Sequence, residues 1–348
     1  MSKTLSIIQI GVGFWGWSWV KIALESPDWD LVGMVDVKKE NLEKACEHYG
    51  ISTDCAFTSL DEAVRVTKPD AALVVVGAEA HAEVTINALE KGLHCLVEKP
   101  IAPTMTEAKK IVETAQKTGR KLMVSQNYRF RKVPRTVNML LKNGTIGEVG
   151  YVFIDFYKAP YFTGFRIEMD EPLITDMAIH HFDQVRSVLG LNAVSVTAQS
   201  WNTSWSRFRG NPLATVVFEM ENSAVVTYHG NWVTQGRVTT WDGEWCIQGD
   251  GGEINWVRNE VTFRVTNLLH EVHTKGALET HRKLRADLIE LSSEDRTGCL
   301  FELACAVNED REPETSGKDN LNTLAMVIGA CKSIELSRKV TIEEVFEN

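Results

Sequence analysis

The sequence predicts an α/β chain in two parts: an N-terminal domain on a parallel sheet, then an α+β domain on an open, mostly antiparallel sheet. Three observations carry this. The first 125 residues alternate short apolar runs with helix-like segments. From about Gly147 the texture changes to closely spaced strand-like runs rich in Val, Thr and aromatics. The 348-residue length exceeds one typical domain. The expected division is 1–125 and 126–348.

In the first part, LSIIQIG (5–11), DLVGMVD (30–36), AALVVVG (71–77), HCLVEKP (94–100) and KLMVSQN (121–127) read as strands. Between them, FWGWSWVKIALES (14–26), KENLEKACEHYG (39–50), HAEVTINALEKG (81–92) and TMTEAKKIVETAQKTG (104–119) read as helices. Thr104 or Thr106 caps the last of these, Glu107 lies in its first turn and Gly119 closes it. Strand–helix alternation implies parallel βαβ units with right-handed crossovers.

In the second part the strand-like runs are 149–158, 193–201, 214–221, 223–233, 244–257 and 260–266. One helix, LITDMAIHHFDQVRSVLG (173–190), interrupts them, and helical periodicity returns over the last fifty residues.

Gly11-Val12-Gly13-Phe14-Trp15-Gly16 follows the first strand and opens the first helix. In such a G-x-G-x-x-G the first glycine permits a tight turn, the second lets backbone approach a diphosphate, and the third lets helix pack on strand. The diphosphate rests on unsatisfied N–H groups at the helix N-terminus. Asp36 ends the second strand 20 residues after Gly16, the spacing of an acid that binds adenosine ribose hydroxyls. Motif, context and acid together predict a Rossmann domain. An acid there repels a 2′-phosphate and favours NAD, while Lys38 and Lys39 keep NADP open as an alternative.

Lys99, in Glu98-Lys99-Pro100, ends a parallel strand on the edge where open α/β sheets bind ligands. It is either a donor to a substrate hydroxyl or an ordinary surface lysine. Asp176, His180 and Asp183 stand at i, i+4 and i+7 and are expected to stack near one helix face. A histidine oriented by a carboxylate is a general base near neutral pH; the competing reading is a core-satisfied His180 or His181.

Bulk properties exclude several classes. A net charge of −10 and a pI near 5.5 disfavour nucleic-acid and anionic membrane partners. The short apolar run at the N-terminus is too brief for a signal-peptide core, and no uncharged stretch approaches membrane-helix length. Seven cysteines without a C-x-x-C pair suggest free thiols and a cytoplasmic location. His270 and His273, spaced i, i+3 without a ligand cluster, give no reason to expect a metal.

With these residues in hand, the chain resembles the glucose–fructose oxidoreductase/inositol dehydrogenase (Gfo/Idh/MocA) family. The resemblance runs through GVGFWG (11–16), residues 80–104, SQNYRF (125–130), NGTIGEVGYV (143–152), DMAIHHFD (176–183), WDGEWCIQGDGG (241–252) and residues 311–327. It implies catalytic roles for Lys99, His180 as acid/base, and Asp176. Cofactor contacts are implied at Gly11, Gly13, Phe14, Trp15, Gly16, Asp36, His81, Glu98 and Lys99, and substrate contacts at Tyr128, Arg129 and Arg166. For Arg129 a structural ion pair is the alternative. Two departures stand out. Val76-Gly77-Ala78-Glu79-Ala80 replaces the usual Thr-Pro approach to His81, and Asp170–Thr175 lacks the glycine-rich segment usual before the catalytic helix.

The implied activity is NAD-dependent hydride transfer to or from a ring hydroxyl or ketone of a sugar, inositol or similar polyol, by a homo-oligomer (dimer or tetramer). The open sheet face often forms such an interface in the family, and Trp201, Trp205, Trp232, Trp241 and Trp245 serve it or merely pack the sheet. The alternatives are a carbonyl reductase of a non-sugar substrate and a non-catalytic NAD-binding sensor or scaffold.

Overall fold

The computed structural model describes residues 4–266 and 283–347, so His270 and His273 lie outside the described residues. The chain forms two compact units: residues 1–130 with 292–321, and residues 131–291 with 322–348.

Unit 1 is built on six parallel strands: β1 (Leu5–Ile10), β2 (Trp29–Val35), β3 (Ala56–Phe57), β4 (Ala71–Val74), β5 (His94–Val97) and β6 (Leu122–Val124). Their order, β3-β2-β1-β4-β5-β6, is that of a doubly wound dinucleotide fold. A parallel sheet is covered on both faces, which is why Ile7, Ile8, Leu73 and Val74 are fully buried and the strands read as unbroken apolar runs. The four helices expected here occupy Phe14–Glu25, Lys39–Tyr49, His81–Glu90 and Met105–Thr118. Thr104 is the cap of the last: its Oγ1 accepts from Glu107 N at 3.2 Å, and Gly119 closes the helix at φ +66°. The Leu60–Thr67 helix and the two-residue β3 were not expected. Both are too short to display a period.

Unit 1 also takes residues 292–321, which the sequence-based division had left with the C-terminal part. The Asp295–Asn308 helix buries Cys299, Leu300, Leu303 and Ala304 in one cluster with Ile7, Leu73, Leu96, Met123 and Phe130. Trp29 Nε1 donates to Leu300 O at 2.8 Å. Gly298 passes so close to Phe130 that a Cβ would lie 2.6 Å from the Phe130 Cβ. Helical periodicity shows that this segment has an apolar face, not which sheet that face covers.

Unit 2 holds a nine-stranded sheet among the described residues. Its strands are β7 (Val149–Tyr157), β8 (Ala193–Trp201), β9 (Leu213–Met220), β10 (Val225–Asn231), β11 (Glu244–Gly249), β12 (Gly252–Val257), β13 (Glu260–Val265), β14 (Leu284–Arg285) and β15 (Val340–Thr341). The order is β14-β13-β12-β11-β7-β10-β9-β8-β15, antiparallel except between β7 and β10. Strict alternation sends Val152, Ile154, Phe156, Val226, Tyr228 and Phe218 to a buried face. There Phe182 packs edge-on to Phe218 and Tyr228, with centroids 4.8 and 5.4 Å away. The tryptophans divide between roles. Trp232 and Trp245 are buried, the latter stacked on Trp256, while Trp201, Trp205 and Trp241 remain exposed. Among the described residues, no helix is long and apolar enough to cross a membrane.

His181 is fully buried under this sheet, with Nδ1 3.0 Å from Tyr228 Oη and Nε2 2.8 Å from Trp241 O. A neutral ring fits both partners, donating from Nε2 and accepting at Nδ1. Burial pushes its pKa down to about 4, from an ordinary value of 6.5. The unfolded chain therefore takes up this proton first, and stability is lost as pH falls from about 6.5 towards 4. Thermal melts across that window should show a steeper acid-side fall in the parent than in His181→Gln, although the variant is the less stable of the two at pH 7.

Candidate active site

The glycine-rich turn of unit 1 has the shape a dinucleotide needs. Gly11 adopts φ +91°, and a Cβ there would lie 2.3 Å from Val75 O. A Cβ on Gly16 would lie 2.2 Å from Gly11 O, so the helix can approach the strand only without one. Gly13 differs: the nearest atom to a Cβ there is Asn41 Nδ2, 3.7 Å away, leaving open space beside the backbone. Gly13 caps the Phe14–Glu25 helix with no side-chain acceptor, and its first turn carries no acid. The leading N–H groups thus remain available to an anion. Phe14 and Trp15 are exposed at this end.

Asp36 stands at the tip of β2. Its Oδ2 accepts from Val12 N at 2.9 Å and Asn41 Nδ2 at 3.2 Å, and its Oδ1 accepts from Lys38 N at 2.8 Å. An ionised carboxylate has about four acceptor sites, so one remains for a ribose hydroxyl. Gln9, which the sequence reading passed over, fastens the turn from beneath. Its buried Nε2 donates to Gly11 O at 2.9 Å and Gly16 O at 2.8 Å. A polar residue between Ile8 and Ile10, in a buried stretch of strand, was the signal for it. Open cradle, uncapped helix end and the acid at the tip of β2 all fit NAD.

At the carboxyl edge of the same sheet, Lys99 is half-buried directly after β5, and the Lys99–Pro100 peptide is cis. Glu98 is turned inward rather than presented: Oε1 accepts from Trp19 Nε1 at 2.8 Å and Oε2 from Lys99 N at 3.1 Å. His81 is buried with Nδ1 2.7 Å from Pro100 O and Nε2 3.1 Å from Val76 O. Burial holds its pKa below the ordinary histidine value. Its ring links the loop after β4 to the loop after β5, a positioning task. Tyr128 is buried in the following turn, and Arg129 pairs with Asp319 at 2.8 Å, the ion-pair alternative.

In unit 2 the expected helix is two pieces, a wider π-helical turn over Leu173–Ala178 and a regular helix over Ile179–Leu189. The change of pitch alters the expected stacking of Asp176, His180 and Asp183, and π turns are frequent at functional sites. Asp183 is buried and accepts from Thr323 Oγ1 at 2.8 Å, which makes it a packing residue. Asp176 accepts from Arg166 Nε at 2.5 Å, and the Arg166 guanidinium lies over the Phe162 and Phe165 rings. Two residues singled out separately in the sequence are thus one ion pair. His180 retains 8% of its surface exposed, whereas its neighbour His181 is the core-satisfied histidine.

Residues 5–126 match the family model described as "Oxidoreductase family, NAD-binding Rossmann fold", and residues 135–255 match "GFO/IDH/MocA C-terminal domain". The chain is 24% identical to 1,5-anhydro-D-fructose reductase of Ensifer adhaerens, over 93% of this chain and 95% of that protein. It is 30% identical to inositol 2-dehydrogenase 1 of Paenarthrobacter aurescens, over 56% of this chain and 57% of that one. A crystal structure of an oxidoreductase from Agrobacterium radiobacter in complex with NAD+, L-tartaric acid and magnesium superposes with a TM-score of 0.86. The identity there is 20%, covering 98% of this chain and 99% of that one, a likeness of fold.

The three glycines should separate in experiment. Gly16→Ala forces the helix off the strand and should lower the melting temperature by roughly 5 °C or more. Gly13→Ala meets no protein atom closely and should melt within about 2 °C of the parent, yet bind NAD about tenfold more weakly by fluorescence titration.

Proposed function

The chain belongs to the Gfo/Idh/MocA oxidoreductase family, and we propose that it moves a hydride between NAD and a ring hydroxyl or ketone of a sugar, inositol or similar polyol. The observation that carries this reading is Lys99 at the carboxyl edge of the dinucleotide sheet, its loop fixed by Glu98 and His81. When bound, NAD supplies the hydride acceptor.

In this reading the chain's own residues handle the proton and the orientation. His180 takes the proton from the carbinol hydroxyl during oxidation and returns it during reduction, a task suited to an imidazole near neutral pH. Lys99 donates a hydrogen bond to a substrate oxygen and stabilises negative charge that grows on it. Asp176, paired with Arg166, orients the His180 ring or contacts the substrate. A neutral polyol needs such directional acceptors and donors rather than a strongly charged cleft. Self-association through the open sheet face, where Tyr151, Phe153 and Val257 lie, belongs to the same proposal.

NADH absorbance measured over a panel of sugars and inositols tests the reading. His180→Ala and Lys99→Ala should each lower kcat by about 10²–10⁴-fold on any substrate found, and His180→Ala should leave NAD affinity unchanged. Turnover that persists when both residues are replaced overturns the mechanism.

A further inference from the structure

A cation that the family description does not assign lies against the dinucleotide helix. Arg296, in the segment that returns to unit 1, donates from Nη1 to Ser18 Oγ at 2.7 Å. Its guanidinium lies over two rings of the same helix, 5.1 Å from the Trp15 centroid and 5.3 Å from that of Trp19. Trp15 and Trp19 are one turn apart and share a face. Trp19 donates to Glu98, so this face is turned towards the loop that carries Lys99. Trp17, on another face, packs against His48 and Tyr49 on the far side of the helix.

The Glu98 carboxylate is taken by the Trp19 indole and the Lys99 N–H, and the rest of this arrangement gathers positive charge at the helix end. The N-terminal turn of a helix already carries partial positive charge. This helix has no acid in its first turn and no side-chain cap, and a guanidinium is added beside it. Among the described residues, no carboxylate lies within ion-pair distance of Arg296. Asp36, the acid of the turn, is committed to Val12, Lys38 and Asn41. A guanidinium has five N–H donors in a planar fork, and Ser18 takes one. The rings of Trp15 and Trp19 hold that fork in place, as aromatic faces do for arginine. Trp15 itself is 48% exposed at the mouth of the turn.

We propose that Arg296, held by Trp15, Trp19 and Ser18, is a cofactor-binding residue that pairs with the diphosphate of NAD on its nicotinamide side. The helix N-terminus and the guanidinium then share one dianionic group, and the C-terminal return of the chain completes the cofactor site. The segment 292–321 covers the sheet and also contributes a charge that the N-terminal sequence lacks. This inference rests on dinucleotide binding and is independent of which substrate is oxidised.

Calorimetric titration of the full chain with NAD, ADP-ribose and AMP, without substrate, tests it. ADP-ribose keeps both phosphates, whereas AMP has only the one next to adenosine. Arg296→Gln should weaken NAD and ADP-ribose by about tenfold and leave AMP unchanged. Arg296→Lys, which keeps the charge but loses the fork, should fall between Arg296→Gln and the parent. Parent-like NAD binding by Arg296→Gln, or an equal loss for AMP, overturns the proposal. If Arg296→Gln melts early, Arg296→Lys and Ser18→Ala decide. Unchanged NAD and ADP-ribose affinity in both also overturns it. Failure of the polyol assay leaves these titrations readable, so the two readings fall separately.

Discussion

The missing Cβ atoms at Gly11 and Gly16 are the constraint on which the rest of unit 1 depends. A would-be Gly16 Cβ would lie 2.2 Å from Gly11 O, so the first helix can lie on β1 only because Gly16 lacks a side chain. The bare Gly11 lets the turn pass Val75 O, 2.3 Å from where its Cβ would be. That approach sets where the helix N-terminus points, and with it where an anion can rest. It also brings Trp19 onto Glu98, which holds the backbone N–H of Lys99. Gln9 crosses under the turn and bonds both carbonyls at the contact. A diphosphate cradle and a lysine some eighty residues later are thereby positioned by one steric allowance.

The buried histidines show how the fold separates positioning from chemistry. His81 and His181 both have pKa values lowered by burial and both are spent on backbone carbonyls and a tyrosine hydroxyl. A proton on either would have to be accommodated without water, so neither suits proton exchange with a substrate. His180 follows the pitch change and is itself nearly buried, with 8% of its surface exposed. Across the change of pitch, Asp176 pairs with Arg166 while Asp183, seven residues on, points into the core at Thr323.

Much of this was legible in the sequence, and what was not has identifiable physical causes. Gly11, Gly13, Gly16 and Asp36 were readable because dinucleotide binding imposes fixed spacing on a continuous stretch of chain. The parallel and antiparallel halves were readable because their strands bury two faces or one. His181 and His180 could not be separated, since burial at adjacent positions of a helix depends on what packs above it. The π turn left no trace in the residue pattern, so an i, i+4, i+7 face was expected where the pitch in fact changes. The hydrogen bonds of Glu98 to Trp19 and Lys99 N, and of His81 to Pro100 O and Val76 O, left no trace in the sequence. Such inward hydrogen bonds are decided by tertiary neighbours.

The segment 292–321 is the clearest case of information that local pattern cannot hold. Its helix has an ordinary apolar stripe, yet that stripe meets residues as distant in sequence as Ile7 and Leu73. Once there, Leu300 takes the Trp29 indole N–H through its carbonyl, and Gly298 fits against Phe130. Those contacts fix the start of the helix beside Ser18, which is why Arg296 can lie across two tryptophans of the dinucleotide helix. Packing on one sheet thus dictates the position of a charge near the cofactor turn. Residues 292–321 cannot drift in sequence as a mere cover would: a change in how Leu300 or Gly298 seats would move the guanidinium as well. Stability and cofactor recognition in unit 1 are coupled through that helix.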